Sequence, residues 1–245
     1  MSVSFISYHD QKGFTLIELA MVLFIVGLML GGLLTPLATK VEYENRNQTI
    51  QDMAEIKEVL IGFAMLNGYL PCPDTTDDGV EDTVTLGSGE TCASDVGNLP
   101  WITLGVTEND AWGNHYNYRV DNEFADRGDS AITDGTSTDT CTSTANISFA
   151  LCSEGDIKVV DADGSSTIVA DNIPAIIVSH GSNASETPTA HEEENYDDSS
   201  NPNDDLKTFV KKDYSEDATE GFDDIVVWLS PHLLRNRMVT AGVLP

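Results

Sequence analysis

Gly13-Phe14-Thr15-Leu16-Ile17-Glu18 opens an apolar run that lasts to residue 34 and carries one charged side chain, Glu18. An ionised carboxylate inside a bilayer costs on the order of 3 kcal/mol even on lenient scales, so an acid placed there has a role and requires a cationic partner. About twenty helical residues rising roughly 1.5 Å each cross the ~30 Å hydrocarbon layer, which makes residues 14–35 the expected membrane-spanning helix. Ahead of it, residues 1–13 (MSVSFISYHDQKG) are short and polar, with Lys12 beside the apolar run. A secretory signal is cut after its apolar region at small residues, and no such site follows Leu34. The apolar helix is therefore expected to stay on the protein.

The residues GFTLIE, with the apolar helix directly behind them, closely resemble the prepilin-peptidase motif of type IV pilins and type II secretion pseudopilins. The resemblance implies cleavage after Gly13 on the cytoplasmic side and N-methylation of Phe14. It implies that Glu18 compensates the terminal amine of a neighbouring subunit in a filament core, and two opposite charges in low dielectric do need each other more than in water. The partners it implies are prepilin peptidase, an inner-membrane assembly platform and other pilins or pseudopilins. The chain would pass once through the bacterial inner membrane, with its C-terminal domain in the periplasm, before joining a pilus or pseudopilus.

With 245 residues, the chain leaves room beyond this helix for a helical stem and one modest domain. The expected divisions are a leader at 1–13, the apolar helix at 14–35, an amphipathic stem at 36–68 and a β-rich domain at 69–245. Lys and Arg number 12 against 41 Asp and Glu, a net charge of −29 that lacks the phosphate-neutralising footprint of a nucleic-acid binder. Cys72, Cys92, Cys141 and Cys152 all lie beyond the apolar helix and form no C-x-x-C pair. Spacing of this kind argues against structural zinc and for disulfides, which persist in the periplasm and outside the cell. Of three possible connectivities, nearest-neighbour closure favours Cys72 with Cys92 and Cys141 with Cys152.

In the stem, Ile50, Met53, Ile56, Leu60 and Phe63 recur at helical spacing among Glu42, Arg46, Asp52, Glu55 and Glu58, and Asn67-Gly68 marks the stop. This stripe is core packing and carries no chemistry. Short apolar runs at 116–120, 147–152, 157–160, 173–179 and 225–229 read as strands of one small antiparallel sheet, with polar loops at 74–97 and 126–144 between them. Ser230, Pro231 and Gly242 bracket a C-terminal helix. The expected fold class is α+β: a long N-terminal membrane-spanning helix packed on a small antiparallel sheet, as in pilins.

Two further segments are similar to pseudopilins. Asp110-Ala111-Trp112-Gly113-Asn114-His115-Tyr116-Asn117-Tyr118 resembles their D-x-W-G-x-x-Y-x-Y segment and reads physically as a turn anchored by an aromatic. Ser179-His180-Gly181 and Phe222-Asp223-Asp224-Ile225 match the two ends of their calcium loop. The resemblance implies Ser179, Asp223 and Asp224 as metal residues and Ca2+ as the ion. The loop between, residues 186–224, departs from the family in its length and its acids Glu192, Glu193, Glu194, Asp197, Asp198, Asp204 and Asp205. Calcium takes six to eight oxygens, which such a segment can supply, and a solvated acidic loop stands as the other reading. The histidines His9, His115, His180, His191 and His232 form no H-E-x-x-H motif, and Ser179-His180 lacks a nucleophile elbow, so the chain is not expected to be an enzyme. The expected function is that of a structural, specialised minor subunit. A tip-displayed adhesin or substrate-binding module is the alternative.

Overall fold

The computed structural model of the chain describes residues 13–86, 89–127, 147–185, 187–196, 207–215, 217 and 221–244, without the side chains of 30–38 and 190. It forms two compact units, the residues up to Glu44 and Asn45–Pro245. Helix α1, Leu16–Asn67, begins in the first unit. Thr15 and Glu18 face one another at its start: the Thr15 N–H and hydroxyl lie 3.4 Å from Glu18 Oε2, and the Glu18 N–H donates back to Thr15 Oγ1 at 3.3 Å. T-x-x-E is thus a capping box, a local role for Glu18 that the apolar context of the motif concealed. From Phe14 to Met29 the apolar side chains are exposed. Among the described residues no helix is long and apolar enough to cross a membrane. Part of the span expected at 14–35 falls on side chains outside the description.

In the second unit, α1 buries Thr49, Met53, Ile56, Leu60, Ile61 and Ala64. The stripe predicted from periodicity is rotated slightly, since Ile50 is exposed and Phe63 is half-buried. The helix stops as expected: the Gly68 N–H donates to the Ala64 carbonyl, and Gly68 takes a φ of 85°, where a Cβ would be strained.

The β structure comprises β1 Thr83–Leu86, β2 Gly89–Cys92, β3 Val96–Asn98, β4 Asn117–Val120, β5 Ile157–Val160, β6 Ile168–Ile173, β7 Ala175–Ser179, β8 Thr208–Val210 and β9 Ile225–Trp228. These make three sheets: a β1-β2 hairpin, a four-stranded antiparallel sheet β3-β4-β7-β9, and a three-stranded sheet β6-β5-β8. The single antiparallel sheet expected from sequence is therefore corrected, and β5 and β8 pair in parallel. Strand β7 explains the arrangement. All five of its residues are buried, with Ala175 and Ile177 packed into one core beside α1 and Ile176 and Val178 into a second core with Ile157, Val159 and Phe209. Alternate strand residues face opposite ways, so an unbroken apolar strand requires a layer on each side.

The run at 173–179 divides at Pro174, which cannot donate to a ladder and whose carbonyl accepts the Asp121 N–H. The predicted strand at 147–152 is instead a turn. Phe149 buries against Phe124 at 4.8 Å, while Leu151 is exposed. The region 74–97 is likewise no simple loop, because Thr and Val suit β1, and β2 ends in Cys92, which is disulfide-bonded to Cys72. Cys152 is also in a disulfide, while Cys141 lies outside the described residues. Helices α2 (Trp101–Leu104), α3 (Asn122–Ala125) and α4 (Ala190–Glu193) are single turns. Helix α5, Pro231–Thr240, has Ser230 at its N-cap and Gly242 past its end at a φ of 73°, with Leu234 and Met238 buried in the α1 core.

Candidate metal centre

The pairing of β7 with β9 builds the site. Their register sets Ser179 opposite Ile225, so the chain beyond each strand end brings His180 and Gly181 against Asp224 and Asp223. His180 Nδ1 lies 3.3 Å from Asp224 Oδ1, and His180 Nε2 lies 2.9 Å from Asn117 Nδ2. The imidazole stacks on Tyr196 with ring centres 3.9 Å apart. Asn195 donates from Nδ2 to Asp224 Oδ2 at 2.7 Å and to the Val210 carbonyl, while its own carbonyl accepts the Val210 N–H. A single buried amide thus ties the carboxylate to β8.

Gly181, at a φ of 63°, lets Asp223 approach closely: a Cβ there would lie 2.6 Å from Asp223 Oδ2. That oxygen accepts from the Ser182 N–H at 2.8 Å, the Ser182 hydroxyl at 2.9 Å and the Asn183 N–H at 3.3 Å. The third carboxylate comes from α4, where Thr189 and Glu192 form a capping box and Glu192 Oε1 accepts the Asp223 N–H at 3.0 Å. Thr189 in turn donates its hydroxyl to the Gly221 carbonyl at 2.9 Å. The segment 186–224 is therefore organised in its described parts by α4, β8 and these bonds. Asp197, Asp198, Asp204 and Asp205 lie outside the described residues.

Glu192, Asp223 and Asp224 each offer an oxygen within 4.8 Å of the others, and all three are buried. Burial and the adjoining Glu192 carboxyl raise Asp223 to about 6, although the Ser182 hydroxyl opposes this. Asp224 is also raised by burial, against the pull of His180. For Glu192 burial acts upward, but the N–H groups of Thr189 and Asp223 and the Asn183 amide outweigh it and leave the group lowered. Asp223 Oδ1 is buried and has no protein partner. Three converging carboxylates with an unpartnered oxygen fit the requirements of a hard cation, and the cluster could hold a metal ion.

Asp223 and Asp224, the acids that the resemblance implied, lie in this cluster, and Glu192 joins them as the third acid. Ser179 is placed otherwise: its hydroxyl donates to Asp110 Oδ2 at 2.6 Å. Asp110 Oδ1 accepts the N–H groups of Trp112 and Asn114, and the Asn114 amide donates to the Gly181 carbonyl at 2.8 Å. The D-x-W-G turn therefore braces the β7 end of the site. The contribution of Glu192 was concealed among its acidic neighbours, although T-x-x-E at Thr189 is a legible capping signal. At the other end of the chain, Phe14 is 83% exposed, and a Cβ on Gly13 would meet nothing within 4 Å.

Residues 8–34 match the family model described as the prokaryotic N-terminal methylation motif, the hallmark of type IV pilins and pseudopilins. No curated protein matches the chain, and no solved structure does.

Proposed function

We propose that the chain is a pilin-like structural subunit of a type IV pilus or type II secretion pseudopilus, cleaved after Gly13 by prepilin peptidase, methylated on Phe14 and assembled through α1. The methylation motif at residues 8–34 carries this reading. The exposed apolar surface from Phe14 to Met29 supports it, because such a helix needs lipid or neighbouring helices around it. Before assembly the helix anchors the chain in the inner membrane and the domain lies in the periplasm. The free space at Gly13 is consistent with a glycine required by a peptidase and not by this fold.

The second core and the described parts of the 186–224 segment extend the domain beyond a helix on one sheet, which suits a minor subunit with a specialised role. Calcium is the ion proposed for Glu192, Asp223 and Asp224, where it would pin α4 to the β7 and β9 ends. Its chemistry there is charge neutralisation and structural bracing, so the role is not enzymatic.

Glu18 supplies the test. Its replacement by Ala removes the acid that compensates a neighbour's amine, while a span without a charge inserts at least as well. The Glu18→Ala chain should reach the membrane at wild-type levels and be absent from sheared filaments. Incorporation equal to wild type would refute the assembly role.

A further inference from the structure

The acidic cluster exists only where two strand ends meet, and one turn of α1 grips both of them. Arg46 and Thr49 are three residues apart, a spacing that puts them on one helix face. On the β9 side, Arg46 Nη1 donates to the Asp223 main-chain carbonyl at 2.9 Å. Its guanidinium also lies 4.8 Å from the centre of the Tyr214 ring, and the next residue, Ser215, exchanges two main-chain hydrogen bonds with Phe222 at 2.9 and 3.0 Å. On the β7 side, the hydroxyl of buried Thr49 accepts the Ala111 N–H at 3.2 Å. The adjoining Asp110 accepts the Ser179 hydroxyl, and Asn114 of the same turn donates to the Gly181 carbonyl.

Asp223 is thus tied through its main chain to two helices at once, by its N–H to Glu192 of α4 and by its carbonyl to Arg46 of α1, while its carboxylate enters the cluster. The carbonyl that Arg46 holds belongs to the peptide group joining Asp223 to Asp224, so one bond steadies the unit that carries both acids. Outer partners of this kind fix the direction of a metal ligand, and their loss typically lowers metal affinity by roughly 10–100-fold.

We infer that Arg46 and Thr49 are positioning residues of the metal centre and couple its occupancy to the first turn of α1 in the second unit, residues 45–50. The inference rests on the reading of Glu192, Asp223 and Asp224 as a calcium site. Coupling is reciprocal: what the turn contributes to the ion's affinity, the ion contributes to the turn. Calcium therefore steadies α1 as well as α4. Charge alone predicts the opposite effect of removing Arg46. A guanidinium repels a cation, so by Coulomb's law its loss would strengthen calcium binding, whereas loss of positioning weakens it.

The test uses the full chain in non-ionic detergent, with calcium chloride as the probe. Titration calorimetry should give a Kd raised roughly tenfold or more in Arg46→Gln and raised also in Thr49→Val. Arg46→Lys keeps the charge and a donor and should recover part of the loss. Arg237→Gln is the control, because Arg237 pairs with α1 at Glu58, twelve residues beyond Arg46, and its Kd should match wild type. In hydrogen exchange followed by mass spectrometry, saturating calcium should slow exchange at residues 45–50 of the wild-type chain by a factor comparable to the change in Kd. That slowing should vanish in Arg46→Gln. An affinity unchanged or increased in Arg46→Gln would overturn the inference, as would calcium that protects α4 and leaves residues 45–50 unaltered. Exchange in the wild-type chain decides the matter if Arg46→Gln misfolds. Binding without any effect on α1 removes the coupling and leaves the calcium site standing, whereas a wild-type chain that binds no calcium refutes the site and the coupling together.

Discussion

Gly181→Ala tests whether the geometry at the ends of β7 and β9 holds the acidic cluster together. Two costs are legible. Gly181 has a φ of 63°, in the left-handed region, where an L side chain costs roughly 1–2 kcal/mol. The added Cβ would lie 2.6 Å from Asp223 Oδ2, so the carboxylate must move from the N–H and hydroxyl groups of Ser182 and the N–H of Asn183. A hydrogen bond to a charged group is worth about 1.5–3 kcal/mol, and loss of one such bond brings the total to roughly 2.5–5 kcal/mol. Gly242→Ala separates the terms, because its φ is 73° and a Cβ there meets nothing within 4 Å. It should cost about 1–2 kcal/mol. Urea unfolding of the full chain in non-ionic detergent, followed by tryptophan fluorescence, measures both. Equal losses in the two variants would show that Asp223 is not held against Gly181 and would refute the reasoning.

Asp121 gives a pH dependence. Burial and the neighbouring Asp156 raise it from 3.8 to about 7, so the native state retains a proton that the unfolded chain releases. Its contribution is fully present below about pH 4 and is lost as pH rises to about 7, by up to roughly 4 kcal/mol at 1.36 kcal/mol per unit. Asp121→Asn should flatten that part of the stability profile measured by urea unfolding. Asp223, raised to about 6, adds a fall of the same sign that persists in this variant. For the metal, calcium at a hundredfold excess over Kd should stabilise the chain by roughly 2.7 kcal/mol, and chelation should reverse it. Asp223→Asn/Asp224→Asn should abolish the response in calorimetry, whereas equal stabilisation by magnesium would indicate general screening.

What could be read in advance followed the strength of local signals. Glycine at Gly68 and Gly242, proline at Pro231 and the apolar run of β7 fixed their elements because each carries its own backbone or burial requirement. Strand β6 was concealed, since Ile168, Val169 and their neighbours are mostly exposed and carry no alternation to detect. The parallel pairing of β5 with β8 is set by tertiary contact across a long connection, which periodicity cannot report. At the site, Asp223 and Asp224 were named through the resemblance to the pseudopilin calcium loop. Glu192 was not, because its role depends on a one-turn helix folding back over them. Ser179 shows the converse, a residue expected at the metal whose hydroxyl is committed to Asp110.

The N-terminus of the chain isolated from assembled filaments bears most directly on the account. Mass spectrometry of the N-terminal peptide should find Phe14 as the first residue, carrying one methyl group on its amine. Gly13→Val should block its appearance, because a branched side chain replaces the hydrogen at the bond to be cut. A filament-borne chain that still begins at Met1, or an unmethylated Phe14, would contradict the proposal that this protein is processed and assembled as a pilin-like subunit.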